Sequence, residues 1–161
     1  MKSAIDGFDR VIISLIQEDG RMPQSELGER ASLSTTAVNR RLKILSDSGV
    51  IEGYTASINP SAMGYNLTII VEVMMESERS DLLDQMRKKF ESCSQIQQCY
   101  YVAGECDFVL IFLVRDMTQY VELTRTLFHE NNNVRSFKTL VAMDRVKASM
   151  NVPIDKIQKQ F

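Results

Sequence analysis

Residues 24–42, QSELGERASLSTTAVNRRL, decide how the first third of this chain folds. Leu27, Ala31, Leu33, Val38 and Leu42 have the spacing of a core shared by two short helices that meet over a tight turn. Gly28 stands where a small residue lets the helices cross closely, at a cost of about 1 kcal/mol of helix propensity relative to Ala. Ser32 occupies the turn position where a glycine would be easiest, so some backbone strain is expected there. Ser34 is a good N-cap for the second helix, predicted from Thr35 to Ser48 and stopped by Gly49.

That second helix carries the chemistry. Val38, Leu42 and Leu45 face inward, which turns Thr35, Thr36, Asn39, Arg40 and Lys43 outward. No acidic residue lies between Thr35 and Lys43. Arg matches the guanine O6/N7 edge, Asn matches adenine, and hydroxyls or Lys suit phosphates and base edges. Ser34, Thr35, Thr36, Asn39, Arg40, Arg41 and Lys43 are therefore the candidate DNA-binding residues, in a helix-turn-helix arrangement that places this helix in the major groove. Arg41 sits at the border of the buried stripe. It fits a phosphate contact and an intramolecular ion pair equally well.

Working outward, Phe8, Val11, Ile12, Leu15 and Ile16 form an amphipathic stripe for a first helix, capped by Asp6 and ended by Gly20. After Gly49, the β-branched, alternating run VIEGYTASI (50–58) suits a short wing hairpin. The Pro/Gly/Asn-rich stretch 59–66 then marks a boundary. From Leu67 the period changes to two. Strands are predicted at 67–76, 96–103, 107–114 and 134–143. One helix, capped by Ser80, buries Leu83, Met86 and Phe90; another, with Asp116 and Gln119 as its capping pair, buries Tyr120, Leu123 and Leu127. The order is βαββαβ, a ferredoxin-like domain. The expected class is α+β: a winged helix-turn-helix domain over 1–60 (wing and linker about 50–66), a ferredoxin-like domain over 67–147, and a tail over 148–161. The strand Phe108–Val114 is apolar on both faces, so a second layer from a partner subunit is expected on the sheet face without helices.

Composition narrows the function. Net charge is -2, and residues 1–60 hold seven basic against eight acidic side chains, so any DNA contact depends on local charge placement. No apolar stretch reaches the roughly 18 residues of a membrane span. The opening MKSAIDGFDR lacks the apolar core of an export signal, and a cytoplasmic location is expected. Cys93, Cys99 and Cys106 form no C-x-x-C pair and read as reduced, mostly buried residues, neither a disulfide framework nor a zinc site. His129 is the only histidine and has no nucleophile partner of known spacing. No catalytic residue, metal site or cofactor is predicted.

Residues 8–64, from FDRVIISLIQEDG through SAMG, together with CYYVAGECDFVLIFLV (99–114), resemble the Lrp/AsnC (feast/famine, leucine-responsive) regulators over nearly all of residues 6–147. The most specific pieces are Gly49-Val50-Ile51 and the Gly104-x-x-Asp107 hairpin. The resemblance implies dimers that assemble further, typically into octamers, and an amino-acid effector bound at an interface beside that hairpin. Carried onto this chain, the effector residues are Tyr100, Val102, Ala103, Gly104 and Asp107. A Thr commonly precedes the Gly in this family; here it is Ala103, so one hydroxyl contact is missing. The residues of the loop are compatible: Gly104 permits positive φ, and Asp107 offers a carboxylate to an ammonium group. On residues alone, a plain hairpin with Gly104 in the turn and Asp107 as a local cap is the stronger reading. Leucine or methionine is the expected effector, from the resemblance and from the apolar neighbours Val102 and Phe108. The predicted function is a sequence-specific regulator, binding double-stranded DNA, whose assembly or DNA binding responds to a small amino acid. The alternative is an architectural DNA-binding protein without an effector.

Overall fold

A computed structural model of the chain describes residues 5–154. The described residues divide into two compact units, one comprising 5–57 together with 149–154, the other Ile58–Ala148.

The first unit holds α1 (Gly7–Glu18), α2 (Gln24–Ala31) and α3 (Thr35–Asp47). Asp6 caps α1 through a reciprocal pair with Asp9, and the Ser34 hydroxyl accepts the Ala37 N–H at 3.2 Å to start α3. Leu15, Leu27 and Val38 meet in a buried cluster, with Val11, Ile16, Leu33 and Leu42 packed around it. The two departures in the turn resolve into geometry. A Cβ on Gly28 would lie 2.7 Å from the Leu33 carbonyl oxygen, so only glycine fits where the helices cross. Ser32 takes the left-handed conformation, with φ 56°, as the strain expected there requires.

A later segment of chain belongs to this unit. The Gln17 side chain clasps the backbone of Val152, donating to its carbonyl at 3.1 Å and accepting its N–H at 2.7 Å. Asn151 adds a bond from its amide to the Gln17 carbonyl.

The hairpin expected for the wing is not formed within the described residues of this chain. Residues 52–59 run as chain without strand partners, and Tyr54 and Ile58 are exposed. Gly53 does not take the positive φ that a tight hairpin turn demands, so the alternating run has no return strand to pair with.

The second unit comprises β1 (Leu67–Met75), α4 (Ser80–Ser92), β2 (Ile96–Tyr101), β3 (Phe108–Val114), α5 (Met117–Thr124) and β4 (Val134–Val141). The sheet order is β2-β3-β1-β4, all antiparallel, as the βαββαβ reading requires. Ile69, Val71, Val73 and Met75 of β1 and Phe108, Leu110, Phe112 and Val114 of β3 are buried with Leu83, Met86 and Phe90 of α4. Aromatic edges lock the layer: Phe90 meets Phe108 at 5.3 Å and Phe112 meets Tyr120 at 5.8 Å. Three details differ from expectation. Arg79, not Ser80, is the N-cap of α4 and makes no side-chain cap bond, so Ser80 starts the helix. The helix after Asp116 loosens past Thr124 into a π-helical turn, Arg125–His129, which turns Leu127 and Phe128 into the core. The cysteines are half-buried and free.

Strand alternation leaves one sheet face without helices. Thr68, Ile70, Glu72 and Met74 of β1 share that face with Val109, Ile111 and Leu113 of β3. Lys138 of β4 reaches Glu72 across it at 3.3 Å. Thr68 Oγ1 is the buried side-chain polar atom without a hydrogen-bond partner among the described residues.

Candidate functional site

The outward face of α3 is built by its own periodicity. Val38 and Leu45 are buried, which turns that side of the helix inward and leaves Thr35, Thr36, Asn39, Arg40 and Lys43 exposed. Among the described residues, none of these five side chains spends its polar atoms on an ion pair or hydrogen bond. Ser34 uses its hydroxyl oxygen as the cap acceptor and keeps its O–H to donate.

Arg41 differs. Its Nη1 lies 2.7 Å from Asp6 Oδ2 and 2.7 Å from Asp9 Oδ1, and its guanidinium sits over the Phe8 ring at 5.4 Å. Of the two roles the sequence left open, the intramolecular ion pair is the one the structure displays. The Asp9 backbone N–H first, and the Arg41 guanidinium beside it, hold the Asp6 carboxyl below its ordinary value. The bonds to Asp9 and Asp6 raise Arg41 in turn. Sequence periodicity could not find Asp6 and Asp9 as its partners, because they lie more than thirty residues away; their i,i+3 spacing around the start of α1 was the only signal.

The five hairpin residues come together at one end of the sheet. Val102 N–H donates to the Asp107 carbonyl at 2.9 Å and closes the loop. The Asp107 N–H donates to the Val73 carbonyl, and its carboxylate Oδ2 accepts the Met75 N–H at 2.7 Å. Asp107 thus ties the hairpin to the end of β1. Tyr100 is about half exposed, and its hydroxyl donates to the Gln98 side chain. Gly104 does not use the positive φ that a glycine permits. Nothing lies within 4 Å of where its Cβ would stand, so the glycine leaves open space beside the loop. Burial, then the carboxylates of Glu72, Asp107 and Glu105, push the Cys106 thiol up and keep it protonated at neutral pH. On the other flank of β1, Asn133 is buried and fastened to Ser77 by both its amide atoms, a support that sequence reading missed inside a plain turn signal. No group of three or more metal-ligating side chains occurs among the described residues.

Residues 68–152 match the family model of the Lrp/AsnC ligand binding domain, and residues 5–52 match a winged helix-turn-helix DNA-binding model. The chain belongs to the Lrp/AsnC family. It is a DNA-binding transcription regulator with an amino-acid-binding domain. A helix-turn-helix-type transcriptional regulator of Sinorhizobium fredii is 40% identical over 151 residues, 94% of this chain and 89% of that one. The leucine-responsive regulatory protein of Escherichia coli K12 is 33% identical, with 93% and 92% covered. Among solved structures, a Neisseria meningitidis transcriptional regulator in complex with L-Met superposes with a TM-score of 0.88 at 24% identity, covering 94% of this chain and 98% of that one. The Mycobacterium tuberculosis leucine response regulatory protein superposes at 0.76 with 30% identity, covering 89% and 95%. This Lrp/AsnC chain has no helix, among its described residues, long and apolar enough to cross a membrane.

Proposed function

We propose that this Lrp/AsnC regulator reads DNA with Thr35, Thr36, Asn39, Arg40 and Lys43, helped by the Ser34 hydroxyl, and acts in the cytoplasm without catalysing a reaction. The observation that carries the reading is the acid-free face of α3 with its polar groups unspent. The test begins with a duplex selected by the wild-type chain from a random pool, compared with a mixed-sequence duplex of the same length. Arg40→Ala or Asn39→Ala lowers affinity for the selected duplex by about 1–3 kcal/mol and relaxes specificity, whereas Lys43→Ala weakens both duplexes alike. Unchanged discrimination in a folded Arg40→Ala, Asn39→Ala double variant removes this helix from the role.

The sensing half of the proposal places a free α-amino acid at Tyr100, Val102, Ala103, Gly104 and Asp107. Its ammonium meets the Asp107 carboxylate oxygen not used by Met75, and its carboxylate meets loop N–H groups. Leucine and methionine lead the candidates, given the leucine-responsive name of the Escherichia coli relative and the L-Met of the Neisseria complex. Two copies pair through the open sheet face and assemble further, to an octamer. Its apolar centre and the orphaned Thr68 hydroxyl support a covering layer there. Calorimetry with the twenty amino acids tests the site. If none binds, the architectural reading, DNA binding without an effector, takes its place.

A further inference from the structure

On α3 two consecutive arginines have opposite fates. Arg40 is exposed and has no ion pair or hydrogen bond among the described residues, while the Arg41 side chain is only 20% exposed and is held by two carboxylates. Those carboxylates are the two halves of the α1 cap. Asp6 Oδ1 accepts the Asp9 N–H at 2.9 Å, and Asp9 Oδ2 accepts the Asp6 N–H at 3.1 Å. Each aspartate therefore gives one oxygen to the first turn of α1 and the other to the guanidinium, 2.7 Å away in both cases. With the Phe8 ring under the cation, the start of α1 and the middle of α3 form one closed network.

We propose that Arg41 is a positioning residue for DNA reading: through Asp6, Asp9 and Phe8 it fixes how α3 is rolled about its axis, and so where Asn39 and Arg40 point, and it makes no phosphate contact of its own. The core alone does not set that roll tightly, because Val38 and Leu45 are a narrow stripe and the partly buried Leu42 tolerates adjustment. Bidentate base contacts tolerate little: a reading side chain has to be held within roughly 0.5 Å and 10–20°. The network has a second effect. It neutralises part of the acidic charge next to a helix that must approach phosphates, in a domain whose overall balance does not favour DNA.

The inference rests on α3 being the reading helix, and the experiment separates the two. The full-length chain is measured against the selected and the mixed-sequence duplex from about 50 to 200 mM salt. A phosphate contact contributes to the slope of log affinity against log salt by about one unit; an aiming residue does not. Arg41→Met is expected to cut discrimination between the duplexes about tenfold with the salt slope on the mixed duplex unchanged to within half a unit. The Asp6→Asn, Asp9→Asn variant keeps the caps, since Asn also caps well, but releases the arginine. It is expected to bind the mixed duplex more tightly and still lose discrimination. Adding Arg41→Met to it costs no further discrimination. That paired loss is one that a phosphate-binding arginine cannot give, because removing nearby acids would then only help. A slope lowered by about one in Arg41→Met, or full discrimination in the Asn variant, overturns the proposal. If Arg41→Met does not fold by circular dichroism, the Asn variant alone decides. If Arg40→Ala also leaves discrimination intact, it is the α3 reading that has failed.

Discussion

The helical unit turns a polar face outward; the sheet unit leaves a largely apolar face without helices. In the first, the core side of α3 is buried, its far side is polar, and its spare arginine is neutralised by α1. In the second, a largely apolar sheet face lies bare of helices, and in the 100–107 hairpin Tyr100 and one Asp107 carboxylate oxygen are engaged with their own chain, with open space beside Gly104. A reading surface can be complete in a monomer because DNA supplies the complementary groups. A sensing surface that lies at an interface, as proposed for this one, would show only its own half in a single chain, so its residues would look structural there.

The sharpest way to break this contrast is on β3, where neighbouring residues face opposite sides. Phe112→Asp puts a charge into a fully buried aromatic core and is expected to unfold the sheet unit, with losses of about 3–5 kcal/mol or more. Ile111→Asp, on the open face, is expected to leave the fold and dissociate the assembly; sedimentation with circular dichroism distinguishes them. If Ile111→Asp sediments as the wild type does, the open face is not a subunit contact. On the helical side, Gly28→Ala drives a methyl to 2.7 Å from the Leu33 carbonyl, and about 1–3 kcal/mol of stability should be lost by denaturant melting. At the hairpin, Asp107→Ala orphans the Met75 N–H and is expected to cost about 1–3 kcal/mol. Asp107→Asn still accepts that bond, so it should keep stability while losing amino-acid affinity in calorimetry. Equal amino-acid binding by wild type and Asp107→Asn would show the carboxylate to be structural only. The smallest effect is at Ser32, where glycine accepts φ 56° without strain; Ser32→Gly is expected to raise stability by about 0.5–1 kcal/mol.

Most of this was readable in advance wherever structure is set by neighbours a few residues away. The caps at Asp6, Ser34 and Asp116 and the stripe through Leu27, Ala31 and Val38 are local, and so is the period-two burial of β3. What the sequence leaves open or gets wrong involves partners distant along the chain. Arg41 lay on the border of its stripe, and only folding brings Asp6 and Asp9 to it. The run after Gly49 has strand chemistry but no strand partner among the described residues of this chain. Gly104 permits a positive φ that its backbone does not use, and the open space beside it has no signal in the sequence. The π-helical turn at Arg125–His129 has no signature of its own, because its apolar residues fit an ordinary helix nearly as well.

The Gln17 clasp on Val152 has a consequence for how this molecule can be taken apart. The chain leaves the helical unit near Ser57 and re-enters it at Ser149, so the βαββαβ unit is, topologically, an insert with two seams. A fragment stopped in the linker would carry all three helices yet lack the strand of chain that satisfies the end of α1. An engineer exchanging the sensor should therefore graft at both seams, and a fluorophore attached beside Val152 would report on the DNA-reading helices and not on the sensor whose sequence it follows.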